Sequence, residues 1–134
     1  MTPRELIERL HTELFSTGDL GTIDRFFAPD VLSHDMPPGF PQGIEGVRLF
    51  FSAFREGMPD VQVHIDELVV EDDRAAVATM IEGTHTGTLM GIEPTGHRIS
   101  VRGIDMVRVA DGRIVEHRGL TDTVGLLRQL SQPE

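Results

Sequence analysis

The stretch HRISVRGIDMVRVADGRIVEHRGLTD, residues 97–122, decides the fold, because it has the pattern of two long strands joined by a tight turn. Apolar residues recur at strand spacing on both sides of ADGR, which separates an outgoing strand from a returning one. Gly112 stands where a two-residue hairpin turn needs a positive φ angle. We therefore predict a β-hairpin over this stretch.

Two strand registers are compatible with this hairpin. A two-residue type I′ turn places Asp105 opposite Arg118. A three-residue loop with a glycine bulge places Ser100 opposite Asp122, with Arg118 on the same face as Asp122. The second register brings a guanidinium close enough to lower the pKa of the Asp122 carboxyl group, which opposes its use as a base.

Three helices are predicted before the sheet. In residues 2–19, Thr2 has the spacing of a capping box, Pro3 fits the first helical position, and apolar residues follow at helical spacing. A second, short helix is predicted over residues 20–27. The third is IEGVRLFFSAFREGMPD, residues 44–60, which carries the main cluster of phenylalanines.

The remaining segments predict strands. APDVLSHDMPPGFPQG, residues 28–43, indicates a short strand that leads into a loop rich in proline and glycine. VQVHIDELVV, residues 61–70, and AAVATMIEGTH, residues 75–85, indicate an antiparallel pair. Helices followed by a meander imply an α+β fold: a curved antiparallel β-sheet packed against three amino-terminal helices, with an internal pocket, in a single domain spanning residues 1–134.

The composition of the chain excludes several classes of function. The chain has 134 residues, of which 39% are hydrophobic and 25% charged, which is typical of one globular domain. A net charge of −10 argues against nucleic acid or an anionic membrane as partner. The absence of cysteine excludes disulfides and thiolate chemistry. No apolar run resembles a signal peptide or a membrane span, so we expect a cytoplasmic protein.

Two segments resemble the SnoaL-like polyketide cyclases, also called predicted ester cyclases. They are GTHTGTLMGIEPTGHRI, residues 83–99, and DMVRVADGRIVEHRGLTDTVGLLRQL, residues 105–130, and the resemblance extends from about Leu6 to Leu130. It implies the cone-shaped fold shared with nuclear transport factor two and ketosteroid isomerase. It also implies a cofactor-free enzyme that closes a polyketide or ester ring by an intramolecular aldol reaction.

The resemblance further assigns the general acid/base of this reaction to Asp122. We expect Asp122 at the inner wall of the cavity, shielded from water, although aspartate is also a favoured helix N-cap. His34 is predicted as a second catalytic residue, Asp35 as a turn residue and His11 as a residue of the helix surface. The residues predicted to bind substrate are Phe50, Phe54, His85, Met106, Arg108, Arg118 and Leu120.

No metal site is predicted, because His64, His97 and His117 lie on strands without paired ligand spacing. The expected partner is an apolar or polyketide-like small molecule. Because the strands are apolar on both faces, we also expect a homodimer through the outer face of the sheet. The alternatives are a non-catalytic protein that binds small apolar ligands, and a hydrolase-like or hydroxylase-like relative that acts on a similar substrate.

Overall fold

The computed structural model describes residues 1–15 and 18–132. Helix α1 spans Pro3–Leu10 and continues as a π-helical turn over His11–Phe15. As the sequence predicts, Thr2 is the N-cap, and its side chain accepts a hydrogen bond of 3.2 Å from the backbone N–H of Glu5. The face that α1 turns to the sheet is fully apolar and buried, with Leu6, Ile7 and Leu10, followed by Leu14 in the π-helical turn.

The second predicted helix is shorter than expected. A 3₁₀ turn over Leu20–Thr22 leads into helix α2, Ile23–Phe26, and strand β1 begins at Phe27 and ends at Ser33. Helix α3 spans Gly43–Gly57 and is the third of the predicted amino-terminal helices.

Four further strands and a closing helix complete the chain. They are β2 Gln62–Glu71, β3 Arg74–Thr84, β4 Arg98–Ala110, β5 Arg113–Thr121 and α4 Thr123–Leu130. The spatial order is β1-β5-β4-β3-β2, and the predicted α+β class is confirmed. One pairing differs from the expected antiparallel sheet, because β1 runs parallel to β5, with Ser33 beside His117. Three strands and a helix separate β1 from β5, and a connection of that length permits a parallel pair.

The β4–β5 hairpin adopts neither predicted register along its whole length. Asp111 and Gly112 both have positive φ angles, 52° and 74°, and form a two-residue turn that pairs Ala110 with Arg113. Ile114 is opposite Val109, but Glu116 is opposite Arg108, so Val115 is an additional residue on β5 and forms a β-bulge. Beyond the bulge Asp105 faces Gly119 rather than Arg118.

The bulge decides which side chains of β5 point inward. Because side chains alternate along a strand, one additional residue moves all later residues to the opposite face. Ile114 points inward and is buried, and beyond Val115 the inward positions become His117, Gly119 and Thr121, which line the cavity. Glu116, Arg118 and Leu120 therefore lie on the outer face.

Two buried apolar clusters hold the layers together. The larger lies between α1, α2, α3 and the inner face of the sheet, and includes Phe26 and Ile114, both 0% exposed. The smaller joins α4 to β4 through Leu126 and Ile99. Gln129 of α4 adds two hydrogen bonds of 2.8 Å to the backbone of Ser100. Within the described residues, no helix has the length and apolarity that crossing a membrane requires.

Deletion of Val115 should be far more harmful than truncation of its side chain. The deletion removes the bulge and would turn the charged groups of Glu116 and Arg118 into the apolar cavity, so we expect a loss of several kcal/mol or no cooperative unfolding at all. Val115→Ala keeps the residue count and therefore the bulge, and should cost no more than about 1.5 kcal/mol. Urea denaturation of both variants compares the two free energies, and similar losses would contradict the role given to the bulge.

Candidate functional site

A cavity of about 160 Å³ lies between the helices and the inner face of the sheet. Its walls come from α1, the π-helical turn, α3 and all five strands, so the two layers of the fold enclose it together. Most of its lining is apolar: Leu10, Leu14, Phe15, Met36, Phe50, Phe51, Phe54, Val77, Ile81 and Val107. Phe50 and Phe54 were both predicted to bind substrate, and their rings lie 5.4 Å apart in this wall.

Within this apolar lining, Asp105 of β4 and His117 of β5 form a hydrogen-bonded pair. The distance between His117 Nε2 and Asp105 Oδ1 is 2.8 Å. An ionised carboxylate only accepts hydrogen bonds, so His117 carries its hydrogen on Nε2. The second carboxylate oxygen of Asp105 has no hydrogen-bond partner among the described residues. The pair thus presents a fixed carboxylate to the cavity.

Gly119 makes this pair possible. It lies directly opposite Asp105, and a Cβ atom at this position would overlap Asp105 Oδ1 and come within 2.9 Å of His117 Nε2. Its backbone N–H also donates a hydrogen bond of 3.0 Å to Asp35 Oδ2, which brings a second carboxylate to the cavity wall. The absence of a side chain at Gly119 is therefore a structural requirement of the site.

His11 lines the cavity from the helical layer. Its Nδ1 lies 2.8 Å from the carbonyl oxygen of Ile7, and its ring packs 5.1 Å from the ring of Phe15. Burial lowers the pKa of His11 below its usual 6.5, and the Ile7 hydrogen bond and the charge of Asp105 oppose this shift without cancelling it. The imidazole is therefore neutral at pH 7.

The other polar residues that line the cavity are Thr121, Thr79, Arg55 and Ser33. Thr79 donates its hydroxyl to the carbonyl oxygen of Gly103 at 3.3 Å. Arg55 donates to the carbonyl oxygens of Phe15 and Pro59. Ser33 is buried, and its hydroxyl lacks a hydrogen-bond partner within the part of the chain that the structure describes.

The family model of the SnoaL-like polyketide cyclases matches residues 5–130. The chain belongs to the SnoaL-like polyketide cyclase family. It is 31% identical over 129 residues to the nogalonic acid methyl ester cyclase of Streptomyces nogalater, with 89% of this chain and 90% of the relative covered. It is 29% identical over 145 residues to the aklanonic acid methyl ester cyclase DnrD of Streptomyces peucetius, with 98% and 92% covered.

A solved structure supports the same conclusion. The structure of TsrD from Streptomyces laurentii superposes with a TM-score of 0.86 at 30% identity, covering 96% of this chain and 93% of that one. The predicted family is thus confirmed. The arrangement of polar residues inside this SnoaL-like cavity nevertheless differs from the predicted one.

Asp122 does not lie at the inner wall of the cavity, and that prediction was wrong. The residue is exposed at the start of α4, where its Oδ1 accepts a hydrogen bond of 2.9 Å from the backbone N–H of Gly125. Its backbone N–H donates to the carbonyl oxygen of Arg102. Strand β5 ends at Thr121, so Asp122 belongs to the helix start and serves as its N-cap.

His34, predicted as a second catalytic residue, also lies outside the cavity. Its Nε2 is 2.6 Å from Oε2 of Glu116, on the outer side of β5. Arg108 reaches the other oxygen of Glu116 at 3.2 Å, and Arg118 is 3.8 Å from the same carboxylate. The hydrogen bonds from His34 and Arg108 lower the pKa of Glu116. The two arginines predicted to bind substrate thus belong to an ion-pair cluster on the outer face.

Of the predicted substrate-binding residues, Phe50 and Phe54 line the cavity, whereas Met106, Leu120 and His85 do not. Met106 and Leu120 point outward and are 45% and 72% exposed, because the register of β4 and β5 assigns them to the outer face. His85 is fully buried and is not among the described residues that line the cavity. Its Nδ1 accepts a hydrogen bond of 3.2 Å from the backbone N–H of Thr95, which fixes the loop between β3 and β4.

The sequence predictions missed four residues of the site, namely His11, Asp35, Asp105 and His117. Asp35 was expected to bond its own backbone but accepts from the distant β5 strand, and His11 was expected on the helix surface. Asp105 and His117 each interrupt the apolar pattern of a strand, and this interruption is the sequence feature that could have identified them as site residues. The described residues contain no group of three His, Asp or Glu side chains that could hold a metal ion.

Replacement of Asp122 should affect stability through the cap. Asp122→Ala removes the acceptor for the Gly125 N–H, so we expect the free energy of unfolding to fall by about 1 kcal/mol. Asp122→Asn retains a good capping side chain and should stay within a few tenths of a kcal/mol of the unmodified protein. Chemical denaturation of the two variants measures both values. An unchanged stability of Asp122→Ala would contradict the capping role.

Proposed function

We propose that this protein is a cyclase that closes a carbon ring in a polyketide ester by an intramolecular aldol reaction. The observation that carries the proposal is the Asp105–His117 hydrogen bond of 2.8 Å inside an apolar cavity. The two relatives compared above, a nogalonic acid and an aklanonic acid methyl ester cyclase, support the substrate class. Asp105 replaces Asp122 as the proposed acid/base.

The first step is removal of a proton from carbon. In a polyketide, the carbon between two carbonyl groups is already acidic, so a single well-placed carboxylate is a sufficient base. The free oxygen of Asp105 takes this proton, and the C–H electron pair forms an enolate. His117 holds the carboxylate in one orientation by donating from Nε2. It acts as a positioning residue in this step.

The second step forms the ring. The enolate carbon attacks a ketone carbon of the same molecule, a carbon–carbon bond forms, and the carbonyl π pair becomes an alkoxide. Asp105 returns the proton to this alkoxide oxygen. Substrate and product have the same composition, so the reaction consumes no water, oxidant or reductant, and we propose that it proceeds without a cofactor.

The apolar lining supports this chemistry in two ways. Exclusion of water by the phenylalanine-rich wall strengthens the electrostatic interactions of the few polar groups that face the ligand. The wall also holds the flexible substrate chain folded, so that the two reacting carbons stay close together. A cavity with this composition suits an apolar, polyketide-like ligand.

Asp105→Asn should abolish proton removal while preserving the fold. Asparagine keeps the shape but cannot act as a base, so we expect the cyclisation rate of aklanonic acid methyl ester to fall by a factor on the order of 100 or more. The same variant should lose the catalysed exchange of deuterium from solvent into the carbon between the carbonyls of a simple β-keto ester. Mass spectrometry and NMR measure these two rates.

Two further variants test this assignment. Gly119→Ala retains both Asp105 and His117 but forces them apart, so it should also lower the exchange rate by at least about tenfold. Asp122→Asn, on the surface, should leave it unchanged. Normal exchange in Asp105→Asn, or loss of exchange in Asp122→Asn, would refute Asp105 as the base.

We also propose that two copies associate through the outer face of the sheet. The centre of this face is apolar, with Ile104 and Leu120 paired across β4 and β5 and 63% and 72% exposed. Carboxylates lie on the β2 side, including Glu67, and guanidinium groups, including Arg102, outnumber the single carboxylate of Glu116 on the β4–β5 side. A two-fold axis through the centre would place the acidic side of one copy over the basic side of the other.

Leu120→Glu should therefore yield a monomer at concentrations where the unmodified protein is a dimer. The new carboxylate would be desolvated at the centre of the interface without a partner. Val124→Glu is the matched control, because Val124 is similarly exposed at 67% but lies on α4. Light scattering at about 50 micromolar protein distinguishes the two states. An unmodified protein that is monomeric at this concentration would contradict the proposed interface.

A further inference from the structure

We infer that His11 binds a hydroxyl group of the ligand through Nε2, and that this contact selects polyketide substrates with an enolic or phenolic O–H. The inference rests on the proposed function for the class of substrate. It names a specificity-determining residue on the helical layer, across the cavity from the strands that carry Asp105 and His117.

The tautomer of His11 follows from its hydrogen bond. A carbonyl oxygen only accepts, so the contact of 2.8 Å between Nδ1 and the Ile7 oxygen requires the hydrogen on Nδ1. In the neutral ring Nε2 is then a hydrogen-bond acceptor. Burial lowers the pKa of His11 and favours this neutral form. The backbone thus sets both the orientation and the hydrogen-bonding character of the ring.

The Nε2 acceptor has no hydrogen-bond partner among the described residues. The hydrogen bond to Ile7 is the single one made by the His11 side chain within residues 1–15 and 18–132. An acceptor that faces an apolar cavity without a partner loses its hydration without compensation. A ligand O–H restores the missing hydrogen bond, whereas a ligand ether or carbonyl oxygen would place two acceptors against each other.

The position of the ring also fits a role in substrate selection. His11 begins the π-helical turn, and such turns occur frequently at functional sites. Its ring packs on Phe15, which also lines the cavity. Asp105 is close enough to influence the pKa of His11. A hydroxyl held at His11 would therefore orient the remainder of the substrate toward the catalytic carboxylate.

The test compares 1-naphthol with 1-methoxynaphthalene, which differ in a single hydrogen-bond donor. We expect the unmodified protein to bind 1-naphthol about five- to tenfold more tightly, as measured by isothermal titration calorimetry. His11→Phe keeps the ring shape and should reduce this ratio to about one, with the affinity for 1-methoxynaphthalene within about twofold of the unmodified value. His11→Gln restores an acceptor and should recover part of the ratio. Asp122→Asn, on the surface, should keep it.

Two results would overturn the inference: no preference for 1-naphthol in the unmodified protein, or an unchanged ratio in folded His11→Phe. If His11→Phe does not fold, ¹⁵N NMR of the unmodified protein decides the question. The Nε2 resonance of His11 should then shift with 1-naphthol and stay in place with 1-methoxynaphthalene, and equal shifts would refute the contact. Binding involves no turnover, so failure of the deuterium-exchange experiment would remove the proposed cyclase and leave this result standing.

Discussion

The additional residue Val115 in β5 is the constraint on which the arrangement of the site depends. A strand has two faces, and a one-residue bulge exchanges them for every residue that follows. In this protein the exchange turns His117 and Gly119 toward the cavity and turns Arg118 away from it. The tight turn at Asp111 and Gly112 fixes the start of the strand, so the bulge alone sets the final register.

This arrangement separates the charges of the sheet into two groups. On the outer face, Glu116 interacts with His34, Arg108 and Arg118, so those charges compensate one another in contact with water. On the inner face, the partner of Asp105 is an imidazole and not a guanidinium. An adjacent arginine would stabilise the charged carboxylate strongly and weaken it as a base, whereas a histidine orients it and can itself exchange a proton.

Local patterns predicted the elements well and the site poorly. The cap at Thr2, the helical spacing in α1 and the Asp111–Gly112 turn are properties of neighbouring residues, and the structure contains all three. A bulge leaves no comparable local signal, because Val115 is an ordinary strand residue. The predicted inward positions of Asp122 and Arg118 both depended on the register. Both were wrong, because β5 ends before Asp122 and the bulge turns Arg118 to the outer face.

The polar site in the cavity depends on the absence of a side chain at Gly119. Gly119 interrupts β5, where a larger residue would improve strand packing, and its lack of a Cβ atom is what lets Asp105 and His117 approach to 2.8 Å. Its N–H meanwhile holds Asp35 at the same wall. The pattern is a glycine opposite an acidic residue in an antiparallel pair, with a histidine two positions before the glycine on the same strand. This pattern marks a place where the acidic residue and the histidine can contact each other on one face of the sheet. In an apolar cavity two polar side chains are stable together when they form a hydrogen bond with each other. This requirement fixes the relative positions of Asp105 and His117 that the proposed chemistry uses.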